Sequence, residues 1–256
     1  MIACSLLGFT RLSFESACAE VKRLGFRATD VAVMEGWAHF NSSALVEGLD
    51  EWVTKAREAL EKNGLTPVSF NASSGTSEAS TELPRFQAIC QFANDLGVRV
   101  ICYSAPPEAA GFESSLKRYE RLRDITNRHH ITLAVEAHVR TLLERPEVAA
   151  RFCKVLGGVY LTLDPSHIYA GPHQGGTFDE LYPYVRHTHW RDSGNHWDRV
   201  QMPPGKGLVD FPCIIRGLKE AGYKGAYSVE YIDTFPDGTP ENILAMKSLL
   251  EKHIPA

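Results

Sequence analysis

Five times along this chain of 256 residues, a helix-like segment ends in glycine and passes at once into β-branched, aromatic or other apolar residues. The junctions are Arg23-Leu24-Gly25-Phe26, Lys62-Asn63-Gly64-Leu65, Asp95-Leu96-Gly97-Val98, Val155-Leu156-Gly157-Gly158-Val159 and Glu220-Ala221-Gly222-Tyr223. Glycine just past a helix adopts the left-handed conformation that closes the last turn, so each junction reads as a helix stop followed by a strand start. From Gly25 through Gly64, Gly97 and Gly158 to Gly222 the intervals are 39, 33, 61 and 64 residues, the last two being about two units each. The chain thus has room for roughly eight strand-helix units, the repeat that an α/β (β/α)8 TIM barrel requires. We expect one such barrel domain over residues 1–256, with no linker.

Periodicity places the strands near 2–8, 28–34, 66–70, 98–103, 131–136, 159–163, 185–189 and 225–230. Helices are expected from 13, over 45–62, 85–96, 112–129 and 146–156, briefly at 178–182, from 211, and over 240–252. The polar run 71–78 reads as a flexible loop. Residues 190–210 form the longest irregular segment, and a loop of that length within a compact domain is usually functional.

The last four strands share a design, because each apolar run finishes on a carboxylate or an imidazole. Ile131-Thr-Leu-Ala-Val ends in Glu136, Val159-Tyr-Leu-Thr-Leu in Asp164, Val185-Arg-His-Thr in His189 and Gly225-Ala-Tyr-Ser-Val in Glu230. Strand C-termini of a barrel gather around one mouth, so four residues separated by 28, 25 and 41 positions are expected to converge. Three crowded carboxylates repel one another unless a cation sits among them. Three oxygen donors, one imidazole and no thiolate suit Mn²⁺, Mg²⁺, Co²⁺, Fe²⁺ or Zn²⁺ better than a structural cysteine-zinc site. Taken singly, Glu136 and Glu230 read as solvated loop acids and Asp164-Pro165 as a turn start; only their conjunction indicates a site. On the seventh strand one of His187 and His189 is read as facing inward and the other the helices, with His187 a satisfied second-layer ring.

Composition narrows the rest. A net charge of −4, with no Lys/Arg run longer than two residues, argues against a nucleic-acid partner. The apolar N-terminus lacks a basic leader and is too short to span a bilayer, so no membrane association is expected. Six scattered cysteines without a Cys-x-x-Cys pair fit free thiols in a reducing cytoplasm.

The motifs Val135-Glu-Ala-His138, Leu163-Asp-Pro-Ser-His167, His187-Thr-His-Trp-Arg-Asp192, Gly205-Lys-Gly-Leu-Val-Asp-Phe-Pro212 and Gly222-Tyr-Lys-Gly-Ala-Tyr-Ser-Val-Glu230 together resemble the xylose isomerase-like TIM barrel superfamily of sugar isomerases and epimerases. The resemblance covers essentially the whole chain. It implies that Glu136, Asp164, His189 and Glu230 bind one divalent metal, manganese among the options, and that His167 faces a substrate. It further implies that Glu136 and Glu230 act as acid and base on opposite faces of a hydroxyketone, with proton transfer through an enediolate. The expected substrate is a small sugar, ketose or sugar acid of carbohydrate metabolism. Self-association into a homo-oligomer stays open.

One departure bears on the substrate. In the ketose 3-epimerases of this superfamily an arginine follows the metal histidine by six residues, and here that position is Asn195. Arg191 and Lys206 are the basic residues left to meet a substrate carboxylate or phosphate, although a loop lysine such as Lys206 is equally read as exposed. Phe9, Trp37, Trp190 and Trp197 could wall a pocket, with core or lid packing the safer reading for each. A dehydratase of the inosose dehydratase type is the nearest alternative, since it also begins with proton abstraction beside a carbonyl. A three-zinc AP endonuclease fits less well: the late motif reads Asp198-Arg199-Val200, and His39 lies several residues past its strand. A non-catalytic sugar-binding protein fits least.

Overall fold

Residues 1–174 and 177–254 are described by a computed structural model. In chain order its strands and α-helices are β1 (Ile2–Ser5), α1 (Phe14–Arg23), β2 (Ala28–Met34), α2 (Ser42–Asn63), β3 (Thr66–Ser73), α3 (Ala79–Asp95), β4 (Val100–Tyr103), α4 (Phe112–Arg128), β5 (Thr132–Glu136), α5 (Pro146–Leu156), β6 (Val159–Leu163), α6 (Pro165–Ala170), β7 (Val185–Trp190), α7 (Phe211–Glu220), β8 (Tyr227–Val229) and α8 (Pro240–Glu251). Each strand pairs in parallel with the next, and β8 returns to β1, closing an eight-stranded (β/α)8 TIM barrel. The glycine punctuation operates as its chemistry dictates. Gly25, Gly64, Gly97, Gly158 and Gly222 all take positive φ, between 62° and 79°.

The helices dock through apolar stripes. In α7, Phe211, Ile214, Ile215 and Leu218 are buried at helical spacing. Asp210 caps that helix by accepting from the Cys213 N–H at 3.0 Å. Burying each such side chain stabilises the docked helix by roughly 1.5–3 kcal/mol. The principal core lies between barrel and helices, where Val31, Val33, Phe70, Ile101, Leu133, Leu161 and Val229 meet the helix stripes. A separate small cluster of Leu7, Ala32, Met34 and Ile232 has Phe235 packed on it.

Several boundaries differ from the sequence expectation. The first strand stops at Ser5 and passes into a 3-10 turn, Leu6–Phe9. Strand β3 continues through Asn71 to Ser73 rather than ending at a loop, and α3 begins at Ala79, earlier than its apolar stripe suggested. The sixth helix is not at 178–182. It is the short α6, which starts directly on Asp164-Pro165, and only a 3-10 turn at Tyr182–Tyr184 occupies the later stretch. Trp190 lines no pocket: it is fully buried, donates to Thr188 Oγ1 at 2.7 Å and stacks on Tyr227.

Candidate metal centre

Each acid of the sequence-derived set is carried by the last residue of a strand or the first beyond it. Glu136 ends β5, Asp164 follows β6 and Glu230 follows β8, and oxygens of the three lie within 4.8 Å of one another. His189, on β7, turns Nδ1 to the same place, 3.0 Å from Glu136 Oε1 and 3.5 Å from Glu230 Oε1. Asp164, His189 and Glu230 are buried, and the Glu136 side chain is only 12% exposed.

Asp164 serves two purposes. Its Oδ1 caps α6 by accepting from the Ser166 N–H at 2.9 Å, which is the turn-start reading of Asp-Pro. Its Oδ2 faces the other acids. Arg191 Nη2 pairs with Asp164 Oδ2 at 2.9 Å and lies 3.8 Å from Glu230 Oε2. Three buried carboxylates therefore share one guanidinium and the His189 imidazole, and crowded buried acids are costly. An oxygen-rich, imidazole-containing set of this kind fits a divalent cation. The residues that would hold it are Glu136, Asp164, His189 and Glu230.

The electrostatics separate the two glutamates. Burial pushes the Glu136 carboxyl up, but the hydrogen bond and charge of His189, with His138 and Arg191, outweigh it and hold the group low. For Glu230 burial dominates; His189 and Arg191 oppose it, Glu136 and Asp164 add to it, and the carboxyl is pushed up. Asn71 donates to Glu230 Oε1 at 2.9 Å, and Ser5 reaches the same oxygen at 3.5 Å. His167 sits well below its ordinary value because of burial first, then electrostatic repulsion from its neighbours, Arg191 and His189 among them. As a neutral ring it accepts from Arg191 Nη2 at 3.0 Å.

Arg191 is 2% exposed, donates from Nε to Ser166 Oγ at 2.9 Å and leaves Nη1 without a partner. Lys206 is exposed and is not brought to the cluster. Its flanking glycines do something else: the N–H groups of Gly205 and Gly207 donate to Asp192 Oδ2 at 2.8 and 2.9 Å, with Ser193 and Val209 on Oδ1. The Gly-Lys-Gly loop is thus a nest for an internal carboxylate. Asn195 and Arg199 are also exposed.

At the mouth Trp197 stacks over His167, with ring centroids 6.3 Å apart and planes 15° apart, and His138 lies against His167 at 3.7 Å. Phe235 meets Trp197 edge-on. His39 is elsewhere, its Nε2 3.1 Å from the Phe9 carbonyl. His187 corrects the strand argument: residues two apart share a face, so both histidines of β7 point inward. The His187 ring is satisfied, as expected, with Nε2 2.9 Å from Asp30 Oδ2 and 3.2 Å from Ser69 Oγ. Sequence reasoning missed Asp30, Asn71 and Ser5. The signal for the first was an acid alone in the apolar run Ala28-Thr-Asp-Val-Ala-Val-Met34.

With this geometry in place, the comparisons with known proteins become specific. Residues 18–249 match the model of the xylose isomerase-like TIM barrel family, and the chain belongs to that family. L-ribulose-5-phosphate 3-epimerase UlaE of Salmonella paratyphi C is 28% identical over 149 residues, 55% of this chain and 52% of that protein. The chain therefore spans about half the length of the curated relatives it matches. A xylose isomerase-like TIM barrel protein from Mycobacterium smegmatis, in complex with magnesium, superposes with TM-score 0.78 at 19% identity, covering 98% of this chain and 97% of that one. The probable 3-DHS dehydratase AsbF from Bacillus anthracis superposes with TM-score 0.75 at 16% identity, over 97% and 98%. At such identities the two structures share the fold. Among the described residues, no helix is long and apolar enough to cross a membrane.

Proposed function

We propose that this chain is a divalent-metal-dependent isomerase or epimerase that moves a proton at a carbon beside the carbonyl of a small sugar, ketose or sugar acid. The observation that carries the reading is the buried carboxylate trio of Glu136, Asp164 and Glu230 with His189 Nδ1 turned to two of its members. The likeness to a ribulose-phosphate epimerase over half of each chain supports the reaction class. When bound, a divalent cation would polarise the carbonyl and its neighbouring hydroxyl and favour the enediolate.

The protein groups divide the remaining work. Glu136 and Glu230 come from β5 and from just after β8, with carboxylate oxygens within 4.8 Å of one another, and in this reading one removes the proton and the other returns it. Arg191 offers Nη1 to a substrate oxygen, and His167, braced by Arg191, lines the same wall. Trp197, edge-to-face with Phe235 and stacked over His167, offers a substrate an apolar rim. Lys206 takes part only with an anionic substrate end that extends out of the mouth.

The test is a panel of ketoses and sugar acids incubated with Mn²⁺-loaded protein in D₂O and followed by NMR. A substrate that takes up deuterium beside its carbonyl, with its mass otherwise kept, is the expected result. Loss of water from the product instead would assign the dehydratase reaction, and no exchange with any member would remove the proposal. Glu230→Gln and Glu136→Gln should each lower exchange by about 10²-fold or more while the fold persists.

A further inference from the structure

Beneath the four-residue cluster lies a carboxylate that neither the family motifs nor the strand-end pattern singles out. Asp30 is fully buried on β2, and its Oδ2 is 2.9 Å from both His189 Nε2 and His187 Nε2. Ser69 on β3 closes on His187 at 3.2 Å, so one oxygen ties β2 to two rings of β7 across the barrel axis. The β2/β3 register shifts between Thr29 and Asp30, and the β6/β7 register shifts between Leu161 and Thr162, which then pairs with His187. Bulges re-aim side chains, and these two flank the residues of this buried layer.

A buried carboxylate is expensive unless its partners repay the desolvation, and here the partners are imidazole N–H groups. An imidazole whose Nε2–H is held by a carboxylate presents the Nδ1 lone pair at its other end. For His189 that end points at Glu136 and Glu230, at 3.0 and 3.5 Å. We propose that Asp30 is the positioning residue of the centre: it holds His189 in the Nε2–H tautomer, with Nδ1 turned to the mouth, and makes that nitrogen a stronger donor to a divalent cation. His187, itself met by Ser69, shares the same carboxylate oxygen. The inference rests on the reading of His189 as a metal ligand.

Asp30→Asn tests it with little change of shape. An amide can offer its NH₂ to Nε2, which permits the Nδ1–H tautomer and sets a proton where the cation should be. Mn²⁺ binding to the full chain, measured by equilibrium dialysis, should weaken about 10–100-fold in Asp30→Asn. In Zn²⁺-loaded protein labelled with ¹⁵N-histidine, the His189 Nε2 proton of the wild type should resonate far downfield and exchange slowly. That signal should move upfield or vanish in the variant, while circular dichroism stays unchanged. A variant with wild-type Mn²⁺ affinity and an unshifted Nε2 proton overturns the role of Asp30. A wild type that binds no Mn²⁺ or Zn²⁺ overturns the metal reading itself, and the two failures are thereby separated.

Discussion

Single atoms set the character of the centre, and His189 shows how. Burial pushes its ring toward the neutral form, yet Glu230, Asp30 and Glu136 together outweigh burial and hold the imidazolium well above the ordinary value of 6.5. Without metal the ring donates from both ends, to Asp30 at 2.9 Å and to Glu136 at 3.0 Å. A cation must displace the Nδ1 proton, so metal affinity should fall by about tenfold per pH unit below that raised value, with a proton released on binding. Calorimetry in buffers of different ionisation enthalpy reads the proton count; uptake without release would contradict this arrangement. The sign for stability is the opposite. Because the folded value is raised, the metal-free protein keeps this contribution below the unfolded imidazole's pKa and loses it as pH rises through the folded one. Thermal melts with chelator should therefore show a lower Tm at higher pH across that window.

At the scale of elements, what could be read in advance depended on periodicity. The strands β2, β5, β6 and β7 and the helix α5 follow from apolar spacing and glycine stops; the ends of β5 and β6 bring Glu136 and Asp164 together, and β7 sets His189 Nδ1 3.0 Å from Glu136. Where polar residues are buried, spacing misleads. Asn71-Ala-Ser continues β3 because Asn71 bonds Glu230 inside the barrel, and α6 hides behind Asp164-Pro165 because capping and turn formation use the same side chain. Asp30 escaped because its partners lie 157 and 159 residues away. The Gly-Lys-Gly loop is a similar case, in which the glycines rather than the lysine carry the structure. A Cβ on Gly207 would stand 2.2 Å from Asp192 Oδ1 and 2.5 Å from the Ser193 carbonyl. Gly207→Ala should therefore break the nest and destabilise the fold by roughly 1–3 kcal/mol, as overpacking does. Urea unfolding measures it, and an unchanged midpoint would show that the loop relaxes freely.

For the whole molecule, the barrel makes neighbours of strand ends that are remote in the chain, and a bound cation would hold them together. Binding to the folded state alone stabilises by about 2.7 kcal/mol at a hundredfold excess over Kd. For a chain of this size that corresponds to roughly 5–10 °C in Tm, which chelation should remove and Mn²⁺ restore. The most direct test is a crystal structure of Mn²⁺-soaked protein with an anomalous difference map. One peak bonded to Glu136, Asp164, Glu230 and His189 Nδ1 is the predicted result. No peak there, or a peak held by other residues, would contradict the account.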